Sequence, residues 1–232
     1  MTLKECFEKN GLSDLLDREK EEKLTALSKL LLEYNEKVNL TALKTEDEIY
    51  AKHLADCAFL VRYLRGWDLL DVGCGGGFPS LPVAILRPDV EVTAMDSTAK
   101  KLGFVRECSA ELGLGNIKTL CGRAEELCRP PLRESFDAVT ARAVAPLPAL
   151  CELCLPYVKV GGAFYAMKTD MAKLQTARRA AVLLGAAKAA ADGYELICAD
   201  GASLRCMMIF EKSKRTPDIY PRRYAQIKAK PL

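Results

Sequence analysis

The sequence predicts a doubly wound α/β fold, and three observations support this prediction. The segment 69–80 reads LLDVGCGGGFPS, so a short apolar run ends in Asp71 and a glycine-rich loop. From residue 67 onward, strand-like and helix-like segments alternate, which is typical of a parallel sheet covered by helices. Near 194–198 and 205–211, two apolar runs follow each other without a helix-length segment between them. This predicts a hairpin and an antiparallel strand at one edge of the sheet.

The N-terminal region is predicted to be helical. Apolar residues recur at helical spacing over 24–34, with charged residues between them. The pattern breaks at 39–41. Thr45 and Glu48 then resemble a capping box that opens a second helix, predicted to run to about residue 64.

The middle of the chain alternates between the two kinds of element. Strands are expected near 69–73, 90–95, 117–121, 136–141 and 162–167, and helices near 79–86, 98–112, 147–157 and 170–184. We therefore expect a helical N-terminal region (1–66), an α/β domain (67–211) and a C-terminal tail (212–232).

The spacing of the glycines restricts the ligand class. The loop contains neither the G-x-G-x-x-G of dinucleotide-binding folds nor the Gly-Lys-Ser/Thr of a phosphate-binding P-loop. What it contains is D-x-G-x-G-x-G, formed by Asp71, Gly73, Gly75 and Gly77. This pattern resembles the first motif of S-adenosylmethionine-dependent methyltransferases. The alternative is a glycine-rich turn in an α/β protein that binds nothing there.

Candidate binding residues follow the other strands. Asp96 ends the second strand, about 20 positions after the loop, where a carboxylate can accept hydrogen bonds from both ribose hydroxyls. Ala124 and Glu125 follow the third strand, beside the expected adenine position, although acidic residues also favour a plain helix start. Arg142 ends the fourth strand, where its guanidinium can hold a carboxylate or a phosphate.

The C-terminal tail carries the net positive charge. Seven of the residues in 212–232 are basic and one is acidic, in a chain whose formal net charge is +3. Tyr220 and Tyr224 lie among the basic residues. Cations for phosphates and rings for stacking are typical of a nucleic-acid-binding segment. A solvated tail that only improves solubility is the alternative.

Composition is that of a globular chain with one domain and an appendage. Of 232 residues, 50% are hydrophobic and 28% charged. The N-terminus lacks the apolar stretch of a signal peptide, and no run is long enough for a membrane span. We expect a cytoplasmic protein with ten free cysteines and no metal, in which Cys151 and Cys154 share a helix face rather than form a zinc or redox site.

Taken together, the motifs resemble the RsmG/GidB family, bacterial methyltransferases of small-subunit ribosomal RNA. The matching segments are YNEKVNLT (34–41), KHLADC (52–57), DVGCGGGFPSLP (71–82), MDSTAKKLGFV (95–105), GRAEE (122–126), TARAVAPL (140–147) and YPRRYAQIKAKPL (220–232). Three positions depart from the family pattern: Cys57 stands where Ser is usual, Cys74-Gly75 where Thr-Gly is usual, and Lys168-Thr169 where Lys-Gly is usual.

The resemblance implies a Rossmann-like class I methyltransferase fold and S-adenosylmethionine as the cofactor. It implies methylation of N7 of one guanine in the decoding region of 16S rRNA. The substrate would be the 16S rRNA or the small ribosomal subunit, and we expect the protein to be monomeric. It implies cofactor contacts at Gly73, Phe78, Ala124, Glu125 and Arg142. With the candidates from the loop and strands, the predicted cofactor set is Asp71, Gly73, Gly75, Gly77, Phe78, Asp96, Ala124, Glu125 and Arg142.

The expected chemistry needs no general base, because guanine N7 presents a lone pair and carries no proton. Catalysis would then rest on positioning, with Arg142, Lys168, His53 and Asp56 as candidate residues. His53 and Asp56 lie at i, i+3 and form either an orienting pair at the cleft or, preferably, a structural pair. The predicted RNA-binding residues are Arg222, Arg223, Lys228 and Lys230. A methyltransferase of another substrate and a non-catalytic RNA-binding protein remain alternatives.

Overall fold

The computed structural model describes residues 1–142 and 144–232. Their architecture is a seven-stranded sheet with strand order β3-β2-β1-β4-β5-β7-β6. The strands are β1 (Asp68–Val72), β2 (Glu91–Asp96), β3 (Ile117–Cys121), β4 (Phe136–Arg142), β5 (Val158–Lys168), β6 (Ala186–Cys198) and β7 (Gly201–Lys212). β1 to β5 run parallel, β7 pairs antiparallel with β5, and β6 forms a hairpin with β7. The predicted fold class is confirmed.

Ten α-helices surround the sheet in the described part of the chain. They are α1 (Leu3–Lys9), α2 (Arg18–Asn35), α3 (Glu46–Ile49), α4 (Asp56–Val61), α5 (Ser80–Leu86), α6 (Ala99–Glu111), α7 (Ala124–Leu127), α8 (Leu147–Cys154), α9 (Leu174–Leu183) and α10 (Tyr224–Ala229). A π-helical segment, Tyr50–Ala55, joins α3 to α4, and short 3₁₀ turns occupy Ser13–Leu15, Leu155–Tyr157 and Met171–Lys173. Among these helices none has the length and hydrophobicity needed to cross a bilayer.

The predicted second N-terminal helix is interrupted rather than regular. Thr45 caps it by accepting from the backbone N–H of Glu48, as predicted. The Glu48 carboxylate, however, accepts from the backbone N–H of Lys44. The helix then passes through the π-helical segment and ends at Val61, three residues before the predicted end. π-helical turns inside α-helices are frequently found at functional sites, and this one contains His53.

Several other boundaries differ from the prediction. The helix expected to reach residue 157 ends as α8 at Cys154, because Pro156 has no backbone N–H to continue the ladder. β6 begins at Ala186, well before the apolar run expected at 194–198. The reason lies in the tertiary structure. One edge of β7 would be unpaired without β6, and the alanine-rich segment pairs with it along its whole length.

Two hydrophobic clusters hold the domain together, one on each face of the sheet. The first joins the N-terminal helices to α5 and α6, with Leu27 and Leu81 fully buried. The second lies under α8, α9 and α10 and includes Phe210 and Ile227. Both the N-terminal region and the C-terminal tail therefore pack on the sheet. Lys212, which we expected to begin the tail, is the buried last residue of β7.

Candidate functional site

A cavity of about 940 Å³ opens at the carboxyl ends of the parallel strands. This is the edge at which doubly wound α/β folds bind their ligands. Its lining includes the glycine loop after β1, the end of β2, the loop before α7 and the end of β4. It therefore brings together segments that are far apart in the sequence, from Gly73 to Arg142.

The glycine loop forms one wall of this cavity. Its start is fixed by two hydrogen bonds, in which the backbone N–H groups of Gly73 and Cys74 donate to the Met95 carbonyl. Gly75 has a φ of +57°, and a side chain added there would meet no protein atom within 4 Å, because the position faces the open cavity. Gly77 has a φ of +83° and turns the chain into α5 without lining the cavity. Gly75 therefore leaves space for a ligand to approach the backbone, whereas Gly77 serves to turn the chain.

Asp71 lies beneath the loop, where its side chain is fully buried. Its Oδ2 accepts hydrogen bonds from Ser80 Oγ at 2.6 Å and from the Ser80 backbone N–H at 3.2 Å. Burial raises the pKa of this carboxyl to about 6. The carboxylate thereby ties β1 to the start of α5. Of the residues predicted to contact the cofactor, Asp71 and Gly77 are the two that do not line the cavity.

Asp96 lines the cavity at the end of β2. Its two oxygens accept from the backbone N–H groups of Gly75, at 3.0 Å, and Thr98, at 2.8 Å. These two donors fix the carboxylate in place, and each oxygen keeps a further lone pair for a ligand. The geometry suits the recognition of two neighbouring hydroxyl groups.

Arg142, at the end of β4, meets the N-terminal helices across the cavity. Its guanidinium donates to His53 Nδ1 at 3.0 Å and to Asp56 Oδ2 at 3.3 Å. The Phe78 ring stacks on His53 with ring centroids 4.7 Å apart. The structure therefore brings together four residues that the sequence predicted to belong to the site.

His53 is held as a neutral imidazole. Burial and the adjacent Arg142 charge lower the pKa of His53 to about 3. Nδ1 lies 3.0 Å from the Arg142 guanidinium, which can only donate, and 3.2 Å from the Lys52 carbonyl, which can only accept. The shorter Arg142 contact favours the tautomer that carries its proton on Nε2. Nε2 then donates to Thr41 Oγ1, 2.9 Å away. Together these three protein partners fix the orientation of the ring.

Two partners in this network were not predicted from the sequence. Thr41 lies within the segment 34–41 that carries the family resemblance, yet nothing in its local pattern indicated a contact with His53. Tyr194, in β6, donates from its hydroxyl to Asp56 Oδ1 at 3.0 Å. Since Tyr194 follows Asp56 by 138 residues, only the packing of β6 against the helical region reveals this contact.

The far end of the cavity is formed by the loop before α7. Ala124 and Glu125 line the cavity there, together with Arg123 and Tyr224. The Tyr157 hydroxyl donates to the Ala124 carbonyl at 2.6 Å from within the core. This buried hydrogen bond fixes the position of the loop, and sequence reasoning did not identify it.

The cavity walls carry an excess of positive charge. Lys168 donates to the Ala145 carbonyl at 2.9 Å, and burial, together with Lys173, lowers its pKa. Among the residues that the structure describes, seven basic and three acidic ones line the cavity: Lys52, Lys101, Arg123, Arg142, Lys168, Lys173 and Arg205 against Asp56, Asp96 and Glu125. Such a surface favours an anionic substrate.

The four tail residues predicted to bind RNA occupy different environments. Arg222 forms an ion pair with the fully buried Glu152, with hydrogen bonds of 2.6 Å from Nη2 and 2.8 Å from Nε. Arg223, Lys228 and Lys230 have exposed side chains. Of the four predicted RNA-binding residues, these three present their charge to solvent, whereas Arg222 anchors the tail.

All ten cysteines lie in the described part of the chain, and there each of them is free. Cys151 and Cys154 are fully buried on α8, where burial raises the pKa of both thiols. Over residues 1–142 and 144–232, no group of His, Cys, Asp and Glu side chains is arranged to hold a metal ion.

The sequence as a whole matches known ribosomal RNA methyltransferases. The family model for rRNA small subunit methyltransferase G (GidB) matches residues 20–192. Two relatives carry the name ribosomal RNA small subunit methyltransferase G. The one from Deinococcus radiodurans is 46% identical over 209 residues, covering 88% of this chain and 82% of the relative. The one from Clostridium perfringens strain 13 is 41% identical over 223 residues, covering 93% and 92%.

Solved structures agree on the fold. The O-methyltransferase TomG from Streptomyces achromogenes, solved in complex with SAM, superposes with a TM-score of 0.54 at 18% identity, covering 91% of this chain and 99% of that one. A SAM-dependent O-methyltransferase from Thermotoga maritima gives 0.53 at 16% identity, covering 81% and 73%. From the family match and the identity to these relatives, the chain belongs to the GidB family of rRNA small subunit methyltransferases.

Proposed function

We propose that this protein transfers a methyl group from S-adenosylmethionine to N7 of a guanine in the decoding region of 16S rRNA. The observation that carries the proposal is the basic cavity at the carboxyl edge of the sheet, in a chain of the GidB family. The partner is 16S rRNA or the small ribosomal subunit, and the place of action is the cytoplasm. We propose that the protein acts as a monomer.

The residues around the cavity fit this cofactor. Asp96 holds a fixed carboxylate with free lone pairs for the two ribose hydroxyls. Gly75 leaves open space where a side chain would block a nucleoside. The loop at Ala124 and Glu125 offers backbone and side-chain groups for an adenine edge, and Arg142 offers a cation for the carboxylate of the amino acid. When bound, the cofactor would supply the electrophile of this reaction, a methyl group attached to a sulfonium.

The protein's own contribution is positioning. Guanine N7 has no proton to lose, so the reaction calls for alignment and exclusion of water rather than for a base. The neutral, hydrogen-bonded His53 agrees with this, because its pKa of about 3 prevents it from changing charge at neutral pH. Phe78 and Val144 supply apolar surface at the cavity wall. The excess of basic residues along the cavity attracts the RNA backbone.

Mass mapping of 16S rRNA tests the proposal directly. RNA from cells with and without this gene is digested and compared, and one methylated guanine is expected to disappear without the gene. A plasmid copy restores it, while a copy carrying Asp96→Asn, expressed to the same level, is the matched control and restores it poorly. Purified protein with labelled cofactor is then given naked 16S rRNA or small subunits. An unchanged methylation map, with transfer to a small molecule or a protein instead, would refute the RNA assignment.

A further inference from the structure

The C-terminal segment 213–232 is bound to the domain at several points and is here named the C-terminal strap. Ile227 is fully buried in the core under α8. Arg222 joins the buried Glu152. Arg133 holds the strap backbone by donating to the carbonyls of Tyr220, at 2.7 Å, and Thr216, at 2.8 Å. These anchors fix the strap both before and within its short helix, α10.

The anchored strap brings Tyr224 to the wall of the cavity. Tyr224 is the first residue of α10, lines the cavity and is 38% exposed. The guanidinium carbon of Arg123 lies 5.9 Å from the centre of its ring. An aromatic ring held against a cavity by a buried anchor three residues away presents a fixed surface on which a planar ligand can stack.

The loop beside this ring is itself rigid. Gly122 donates its backbone N–H to the Asp96 carbonyl at 3.1 Å, which joins the loop to the end of β2. Tyr157 holds the Ala124 carbonyl from the core side at 2.6 Å. The segment 122–125 is therefore fixed from below, and Tyr224 flanks it at the cavity.

We infer that Tyr224 is a cofactor-binding residue, and that the C-terminal strap completes the end of the cavity that receives the adenine. The inference rests on the proposed function, because that function places S-adenosylmethionine in this cavity. It gives the strap a role besides RNA contact, since a residue of the strap binds the adenosine part of the cofactor. The chemical basis is stacking of the purine on the tyrosine ring, which does not require the phenolic hydroxyl.

Calorimetric titration of the full-length protein with S-adenosylhomocysteine and with methylthioadenosine tests this inference. The variants are Tyr224→Ala, Tyr224→Phe and, as the matched control, Gln226→Ala, an exposed residue of α10 that does not line the cavity. We expect Tyr224→Ala to raise the Kd of both ligands about fivefold or more, as loss of one aromatic–base stack predicts. Tyr224→Phe and Gln226→Ala should bind like the wild type.

Two further readouts separate a binding role from a structural one. All three variants should unfold at the wild-type temperature, because Ile227 and Arg222 still anchor the strap. In methyl transfer, Tyr224→Ala should raise the KM for S-adenosylmethionine and leave kcat unchanged. Wild-type affinity in Tyr224→Ala, or a loss that Tyr224→Phe shares, would overturn the inference. So would a loss for S-adenosylhomocysteine without one for methylthioadenosine, since the latter keeps the adenosine. If the wild type itself binds neither ligand, the proposed function fails.

Discussion

His53 gives the protein a pH-dependent stability whose size follows from its surroundings. The folded pKa is about 3, because the ring is buried and faces Arg142, whereas an unfolded histidine titrates near 6.5. Below pH 6.5 His53 becomes protonated in the unfolded chain but stays neutral in the folded chain. The stabilising effect of a neutral His53 is therefore complete above pH 6.5 and is lost as the pH falls toward 3. Between pH 8 and pH 5 this loss amounts to about 2 kcal/mol.

A second buried group acts in the opposite direction and must be separated from His53. Burial raises the pKa of Asp71 to about 6, so the folded chain gains a proton there before the unfolded chain does. This stabilises the fold by about 1 kcal/mol between pH 8 and pH 5. Because the two effects partly cancel, the free energy of unfolding of the wild type changes too little with pH to report on His53 by itself. The difference between the wild type and a variant that lacks only the imidazole isolates it.

Urea denaturation of the wild type and His53→Gln, at half-unit steps from pH 8 to pH 5, provides this difference. We expect the wild type to lose about 2 kcal/mol relative to the variant over this range. His53→Asn is the control: its absolute stability should differ from that of His53→Gln, but its difference curve should have the same shape. A flat curve, or a wild type that gains stability at low pH relative to both variants, would refute the assignment of a neutral imidazole bonded to Arg142.

Variants of Asp96, Arg222 and Arg223 separate cofactor binding from folding and from RNA contact. Asp96→Asn should weaken S-adenosylhomocysteine binding by roughly 1.5–3 kcal/mol in calorimetry, the contribution of hydrogen bonds to a charged group. Unchanged affinity would exclude Asp96 from the site. Arg222→Ala leaves the buried Glu152 unpaired and should lower the free energy of unfolding by about 3–5 kcal/mol. The exposed Arg223→Ala should preserve stability and reduce the salt slope of RNA binding by about 0.7–0.9; the reverse pattern would make Arg222 the RNA contact. Single-turnover methyl transfer at saturating RNA and cofactor should be nearly flat from about pH 6 to pH 9. A sigmoidal profile with an apparent pKa near 6.5 that disappears in His53→Gln would contradict catalysis by positioning.

Local sequence patterns were sufficient for the order and type of the main elements. Apolar runs and helical periodicity predicted all seven strands, although β6 begins much earlier than expected. The absence of a helix-length segment before the last apolar run predicted the antiparallel edge. The glycine spacing around Gly75 predicted a loop that a ligand can approach, because only glycine leaves such space on the backbone. These features depend on neighbours close in the chain.

The partner of a charged side chain, in contrast, was decided only by the tertiary structure. Asp71 precedes the glycine loop and was predicted to bind the cofactor, but the packing of α5 buries it against Ser80. Arg222 belongs to a basic segment suited to phosphates, yet it pairs with Glu152, 70 residues away. A charge attracts any opposite charge, so its sign and sequence neighbours do not specify which one it meets.

The His53 network shows the same division. The sequence by itself placed Arg142 at the carboxyl end of a strand and put His53 and Asp56 on one helical segment. It did not indicate that Arg142 contacts both of them. Nor did it indicate that Thr41 contacts Nε2 of His53 and that Tyr194 donates to Oδ1 of Asp56. Those contacts exist because the N-terminal helical region packs against β6 and meets the end of β4. Local periodicity determined the elements and the loop chemistry, whereas the protonation of His53 and the anchoring of the tail required the folded chain, since burial and opposite charge act through space.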